Sequence, residues 1–213
     1  MPAQLTPEFV LNALGGTPWD FGNQVLYDLC HENPSHTRDD VIIAKVWLIG
    51  RTYAAAIERR RVPGRWSGDE FYEKNVAPMI RDSEIDEWFA RLFERPGKDA
   101  ALDLEAHHQL TSLFTKISEL EKRSLASKYL HFHFPERFYI FDSRASQSIG
   151  SLTTPVRTKS YSLRQHDRVY APFYLRCEQL CERLAPCVNR ELSPREIDKV
   201  LLAYSRSRVP AAS

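Results

Sequence analysis

The chain has 213 residues, 43% of them hydrophobic and 27% charged, with a formal net charge of +1. That is enough for a sizeable core in one unit or in two small lobes, and the balance is that of an ordinary globular protein. It excludes a uniformly basic nucleic-acid coat, and no run of about 18 apolar residues offers a membrane span.

In chain order, apolar residues recur at helical spacing. They predict helices over 7–14, 21–32, 38–61, 68–80, 83–93, 100–118, 122–133, 142–151, 167–184 and 193–206. Thr37 and Ser193 stand where N-caps are wanted, the latter with Pro194 at the first helical position. Gly64, Gly97 and Pro135 interrupt the pattern at loops, and 138–141 is too short for a strand. The longest loop, 152–166, is rich in Ser, Thr, Arg and Lys. The expected fold is all-α: one unit over 1–213, with an N-terminal helical lobe 1–105 and a second lobe 106–213.

The helix over 38–61 reads as apolar on most sides, in Val-Trp-Leu-Ile-Gly-Arg-Thr-Tyr-Ala-Ala-Ala-Ile. A helix of that kind is buried. Arg51 inside it then needs an internal carboxylate or a ligand. Cys177 and Cys181, four apart on one helix, suit packing better than bridging, so reduced cysteines are expected. The opening Met-Pro-Ala-Gln-Leu-Thr-Pro-Glu has neither the charged nor the apolar region of a signal peptide, which fits a cytoplasmic location.

Charge is segregated. Residues 68–105 hold 11 acidic and 5 basic side chains, whereas 120–170 hold 9 basic and 4 acidic. Such an arrangement can steer a polyanion to one face.

Within the basic half, 124–145 reads Ser-Leu-Ala-Ser-Lys-Tyr-Leu-His-Phe-His-Phe-Pro-Glu-Arg-Phe-Tyr-Ile-Phe-Asp-Ser-Arg-Ala. A patterned helix runs into Pro135, an aromatic connector follows, and Asp142 begins the next helix. A helix N-terminus carries unpaired N–H donors and about half a positive charge. Asp142 there is either an ordinary N-cap or a carboxylate placed to face a cationic transition state. Lys128 lies one helical turn after Ser124. It can pair with Asp142, bind a phosphate, or act as a nucleophile if burial lowers its pKa.

This order of hairpin, helix, proline, connector and helix-starting Asp resembles the helix-hairpin-helix DNA glycosylase superfamily, over roughly 117–148. The family hairpin reads about Leu-x-Gly-Val-Gly-x-Lys-Thr-Ala. Setting its Thr-Ala on Leu125-Ala126 puts Asp142 on the catalytic aspartate and Ser124 where bifunctional members carry a lysine nucleophile. The two hairpin glycines fall on Leu120 and Lys122, so the turn must differ.

The resemblance implies a two-lobed helical bundle and a monofunctional DNA glycosylase. Such an enzyme hydrolyses the N-glycosidic bond of a modified base and leaves an abasic site. A divergent hairpin directs attention to the superfamily's anti-phage branch, which removes hypermodified bases from invading DNA. The implied partner is double-stranded DNA with a modified base, met by a monomer without cofactor or membrane. Candidate phosphate contacts are Lys122, Arg123, Ser124, Arg144, Arg157 and Lys159, with Arg164 and Arg168 behind them. Arg51 and Tyr53 are placed at the base pocket. Tyr129, Phe132, Tyr139, Phe141 and Tyr161 are core or stacking aromatics.

No metal site is expected, because His107 and His108 are adjacent, and His131 and His133 are two apart. The alternative is a non-catalytic helical module that binds DNA or protein, with Asp142 merely a cap.

Overall fold

A computed structural model describes residues 5–59, 66, 68–156 and 166–208. These form helices α1 (Pro7–Ala13), α2 (Asp20–Glu32), α3 (Asp39–Thr52), α4 (Ala77–Arg81), α5 (Ile85–Phe93), α6 (Ala100–Ser118), α7 (Arg123–His133), α8 (Ser143–Leu152), α9 (Tyr170–Val188) and α10 (Pro194–Ser207), with no strand among the described residues. The fold is all-α, as periodicity predicts.

Local chemistry explains several of the ends. Ser193 accepts from Glu196 N while Glu196 reaches back to Ser193 N, a complete capping box with Pro194 at the first position. Thr37 is not a cap: α3 starts one residue later, from Arg38, with no side-chain cap bond. A π-turn, Tyr72–Val76, leads into α4, where Ala77 N bonds Tyr72 O. Pro78 follows it and has no N–H to donate, which is a setting for a widened turn. Glu119 closes α6 in the left-handed region at φ 60, the role glycine usually fills. The α6–α7 turn is therefore built without hairpin glycines, helped by Ser118 Oγ, which donates to Phe114 O at 2.7 Å.

The helix expected over 38–61 stops at Thr52. Ala54 turns to φ 51, and Ala55 N donates back to Gly50 O at 2.7 Å. Ala56 then lies on Gly50 so closely that a Cβ there would stand 3.0 Å from Ala56 Cα. The alanine run favours helix locally, but this close approach of backbone to backbone overrides it.

Two apolar clusters form the interior. One joins α2 to α7 around residues such as Leu26, Val46, Phe89, Leu110, Phe114 and Tyr129. The other joins α1, α8, α9 and α10 around Val10, Ile149, Tyr170, Leu180 and Leu201. The chain passes from the first to the second between Phe138 and Tyr139, inside the aromatic connector. Arg137 anchors that crossing. Its Nε donates to Asp103 Oδ1 at 2.8 Å, and its Nη1 to Leu92 O at 2.9 Å and Arg95 O at 2.5 Å. All four cysteines are free, and Cys30, Cys177 and Cys181 are buried. No helix among the described residues is long and apolar enough to cross a membrane.

Candidate active site

The connector 134–142 is tied to the helices at its two ends, by Phe134 N on Leu130 O and Ser146 N on Asp142 O, and polar groups of its later part, 138–141, are met by side chains from elsewhere. One face of α7 does this. Ser124, Ser127, Lys128 and His131 recur at spacings of three and four, which puts them on one side of the helix. Phe141 N donates to Ser127 Oγ at 3.0 Å. Phe141 O accepts from Ser124 Oγ at 3.0 Å and from Lys128 Nζ at 2.8 Å.

His131 Nδ1 lies 2.8 Å from Phe138 O. A carbonyl only accepts, so Nδ1 carries the proton and Nε2 takes the Tyr27 hydroxyl at 2.6 Å. Burial lowers the His131 pKa to about 4, consistent with a neutral ring. From α9, Tyr170 Oη donates to Tyr139 O at 3.0 Å. The connector is thus fixed along its length, and it delivers Asp142 in extended geometry to the N-terminus of α8.

Asp142 caps that helix, its Oδ1 accepting from Ala145 N at 2.8 Å. The same side chain lines a cleft of about 1020 Å³ between α2, α8 and α10, at the upper end of sites that enclose small organic ligands. Among the described residues, five cations (Arg59, Arg144, Arg195, Lys199 and Arg206) and two carboxylates, Asp142 and Asp198, line it. Trp19 stands at its edge, 75% exposed.

Lys128 is fully buried beneath this floor. Its Nζ also donates to Ser124 Oγ at 2.7 Å and sits 5.9 Å from the centre of the Tyr53 ring. Burial lowers its pKa to about 8, opposed by the charges of Asp142 and Asp198. Among the described residues it makes no ion pair with Asp142.

A lysine whose pKa falls from 10.5 to about 8 on folding holds its proton less firmly in the folded state. That cost to stability is complete below about pH 8 and vanishes as pH rises to 10.5. Lys128→Met is therefore expected to raise stability near neutral pH by about 2 kcal/mol, with Ser124 still serving Phe141 O. Denaturant midpoints at neutral and at strongly alkaline pH check this. A loss at neutral pH, or a gain unchanged at alkaline pH, contradicts it.

Other residues singled out in the sequence are distributed as follows. Tyr53 and Ser124 line the cleft beside Asp142, as does Arg144 at its rim. Tyr53 Oη donates to Asn23 Oδ1 at 2.7 Å. Arg51 is not in the cleft lining. With α3 ending at Thr52 its side chain lies at the surface, 58% exposed, and pairs with Glu58. Lys122 turns inward, its Nζ on Arg59 O at 2.7 Å. Arg123 is held by Asp167 at 2.7 Å and Glu121 at 3.0 Å. Both are occupied within the chain instead of lining the cleft. Tyr129, Phe132 and Tyr139 are core, whereas Phe141 reaches the cleft. Arg157, Lys159, Tyr161 and Arg164 lie outside the described residues.

Sequence reasoning missed Trp19, Asn23, Arg195, Asp198, Lys199 and Arg206. The last four follow helical spacing along one face of α10, which is the signal that would have found them. Asp198 is 3% exposed, with Oδ2 on Arg195 Nη1 at 2.5 Å and Oδ1 without a partner. Asn23 Nδ2 is likewise buried and unpartnered.

No known protein family, curated protein or solved structure matches the chain.

Proposed function

We propose that this chain is a monofunctional DNA glycosylase that hydrolyses the N-glycosidic bond of a modified base and leaves an abasic site. The observation that carries the reading is Asp142. Its carboxylate sits at a helix N-terminus and opens on a nucleotide-sized cleft with a cationic rim. Arg144 and Arg206, at that rim, have no ion pair among the described residues, which suits phosphate contacts. Trp19 offers an exposed ring for stacking as a base leaves the duplex.

In the reaction, the bond between C1′ and the base nitrogen breaks and the base keeps the electron pair. Asp142 faces the positive charge that develops on the sugar. Water adds to C1′ and passes a proton to Asp142, which returns it to solvent. A Schiff base would need Lys128 Nζ at C1′, but Nζ is sealed beneath Ser124 and Phe141. Burial therefore supports a positioning role for Lys128 and hydrolysis by water. The missing hairpin glycines favour hypermodified bases of invading phage DNA over common lesions.

The test is incubation with several naturally modified genomic DNAs, reading abasic sites and free base by mass spectrometry. Release of base from at least one hypermodified DNA is expected, with no adduct on borohydride treatment. No release from any of them contradicts the reading. A covalent protein–DNA adduct that disappears in Lys128→Ala contradicts the monofunctional mechanism.

A further inference from the structure

A neutral base that departs with an electron pair is a poor leaving group until it gains a proton, and Asp142, facing the sugar as a carboxylate, does not supply one. Asp198 is placed to give it. The α10 carboxylate is split in function: Oδ2 is pinned by Arg195, and Oδ1 has no partner although its residue lines the inner wall of the cleft. A buried acceptor without a partner is costly to keep. A second such group, Asn23 Nδ2, lies on the same cleft, its amide oriented by the Tyr53 hydroxyl on Oδ1. Two orphaned polar atoms on residues that line one cleft, from α2 and α10, indicate that their partners come from a ligand.

We infer that Asp198 is a second catalytic residue, whose Oδ1 delivers a proton to the leaving base while Asn23 Nδ2 donates a hydrogen bond that orients it. The inference rests on the glycosylase reading. As the C1′–N bond breaks, its electron pair goes to the base, and the Asp198 proton neutralises the base at a ring nitrogen or exocyclic oxygen. Water supplies the hydroxyl to C1′ and its proton to Asp142. Asp142 and Asp198 then exchange protons with solvent, so the net reaction consumes one water.

The surroundings of Asp198 suit an acid. Burial is the main cause that raises its pKa to about 6; Arg195 on the same helix and Lys128 on α7 pull it down, and Asp142 at the start of α8 adds to the rise. Tyr27 and Tyr53 on the α2–α3 side and Cys177 on α9 also face it, all three held neutral by burial. The proton must be present for the step, so release of a neutral base is fastest below about pH 6 and declines as pH rises through that value.

The experiment is the pH profile of single-turnover base release from the hypermodified genomic DNAs, for wild type, Asp198→Asn and Arg195→Gln. Wild type is expected to lose rate above about pH 6. Asp198→Asn should be flat across that range and about 100-fold slower at its acidic end. In Arg195→Gln the decline should move to higher pH, because the charge that lowers the Asp198 pKa is gone. A merely structural role would not shift a profile, and Arg195→Gln gives this readout even where Asp198→Asn fails to fold. A decline retained by Asp198→Asn, or unmoved in Arg195→Gln, overturns the assignment and leaves the glycosylase reading standing. No release by folded wild-type protein from any of these DNAs overturns both.

Discussion

Asp142→Asn is expected to slow base release by about 100- to 1,000-fold, with folding and DNA affinity nearly unchanged. Asn accepts a hydrogen bond from Ala145 N as Asp does, and the two are close in rank as N-caps. What is lost is the negative charge: a part of the stabilising interaction with the helix N-terminus, and the whole of the attraction to a cationic sugar. Thermal melting should therefore report less than about 1 kcal/mol of destabilisation, while single-turnover release collapses. If Asp142 serves only as a cap in a non-catalytic module, neither protein releases base and melting changes by no more than a cap's worth, about 1 kcal/mol or less. A variant that releases base at the wild-type rate removes Asp142 from the chemistry.

The largest stability effect is expected at the crossing between the two apolar clusters. Arg137 is 5% exposed and Asp103 fully buried. Burial raises the Asp103 pKa to about 6, against the opposing pull of the Tyr174 hydroxyl, at 2.8 Å, and of Arg137. Arg137→Met would leave that carboxylate without its cation and strip Leu92 O and Arg95 O of their donor. Breaking a buried pair from one side costs about 3–5 kcal/mol, or about 10 °C in melting temperature at this chain length. Because the same arginine fixes the connector, Asp142 should lose its position as well. The double variant Asp103→Leu/Arg137→Met removes the uncompensated charge and should recover much of the stability. A single-variant loss under about 1 kcal/mol, or a double variant no better than the single, contradicts the role given to this pair.

Helical period makes most of the fold legible, and the order of proline, connector and Asp places Asp142 at a helix start. Lys128 was legible as a neighbour of Ser124 because the relation is one helical turn. The end of α3 was not. Ala54, Ala55 and Ala56 favour helix by propensity, and only the packing of Ala56 on Gly50 turns the chain away. That error carried Arg51 into an imagined interior.

Lys122 and Arg123 read as phosphate contacts near a hairpin, but backbone carbonyls of Ala56 and Arg59 and the carboxylate of Asp167 hold them. Asn23 and Asp198 come from elements far apart in sequence, so no local pattern places them on one cleft. The charged face of α10 was visible as a period, but what it faced was not.

Binding measures, without turnover, whether Asp142 confronts a cationic sugar. The probe is a duplex bearing a positively charged pyrrolidine in place of one sugar, compared with the same duplex bearing neutral tetrahydrofuran. Wild-type protein is predicted to prefer the charged analogue by about 100-fold, and Asp142→Asn to bind both alike. Equal affinity of the wild type for the two, or a preference that survives in Asp142→Asn, contradicts the account.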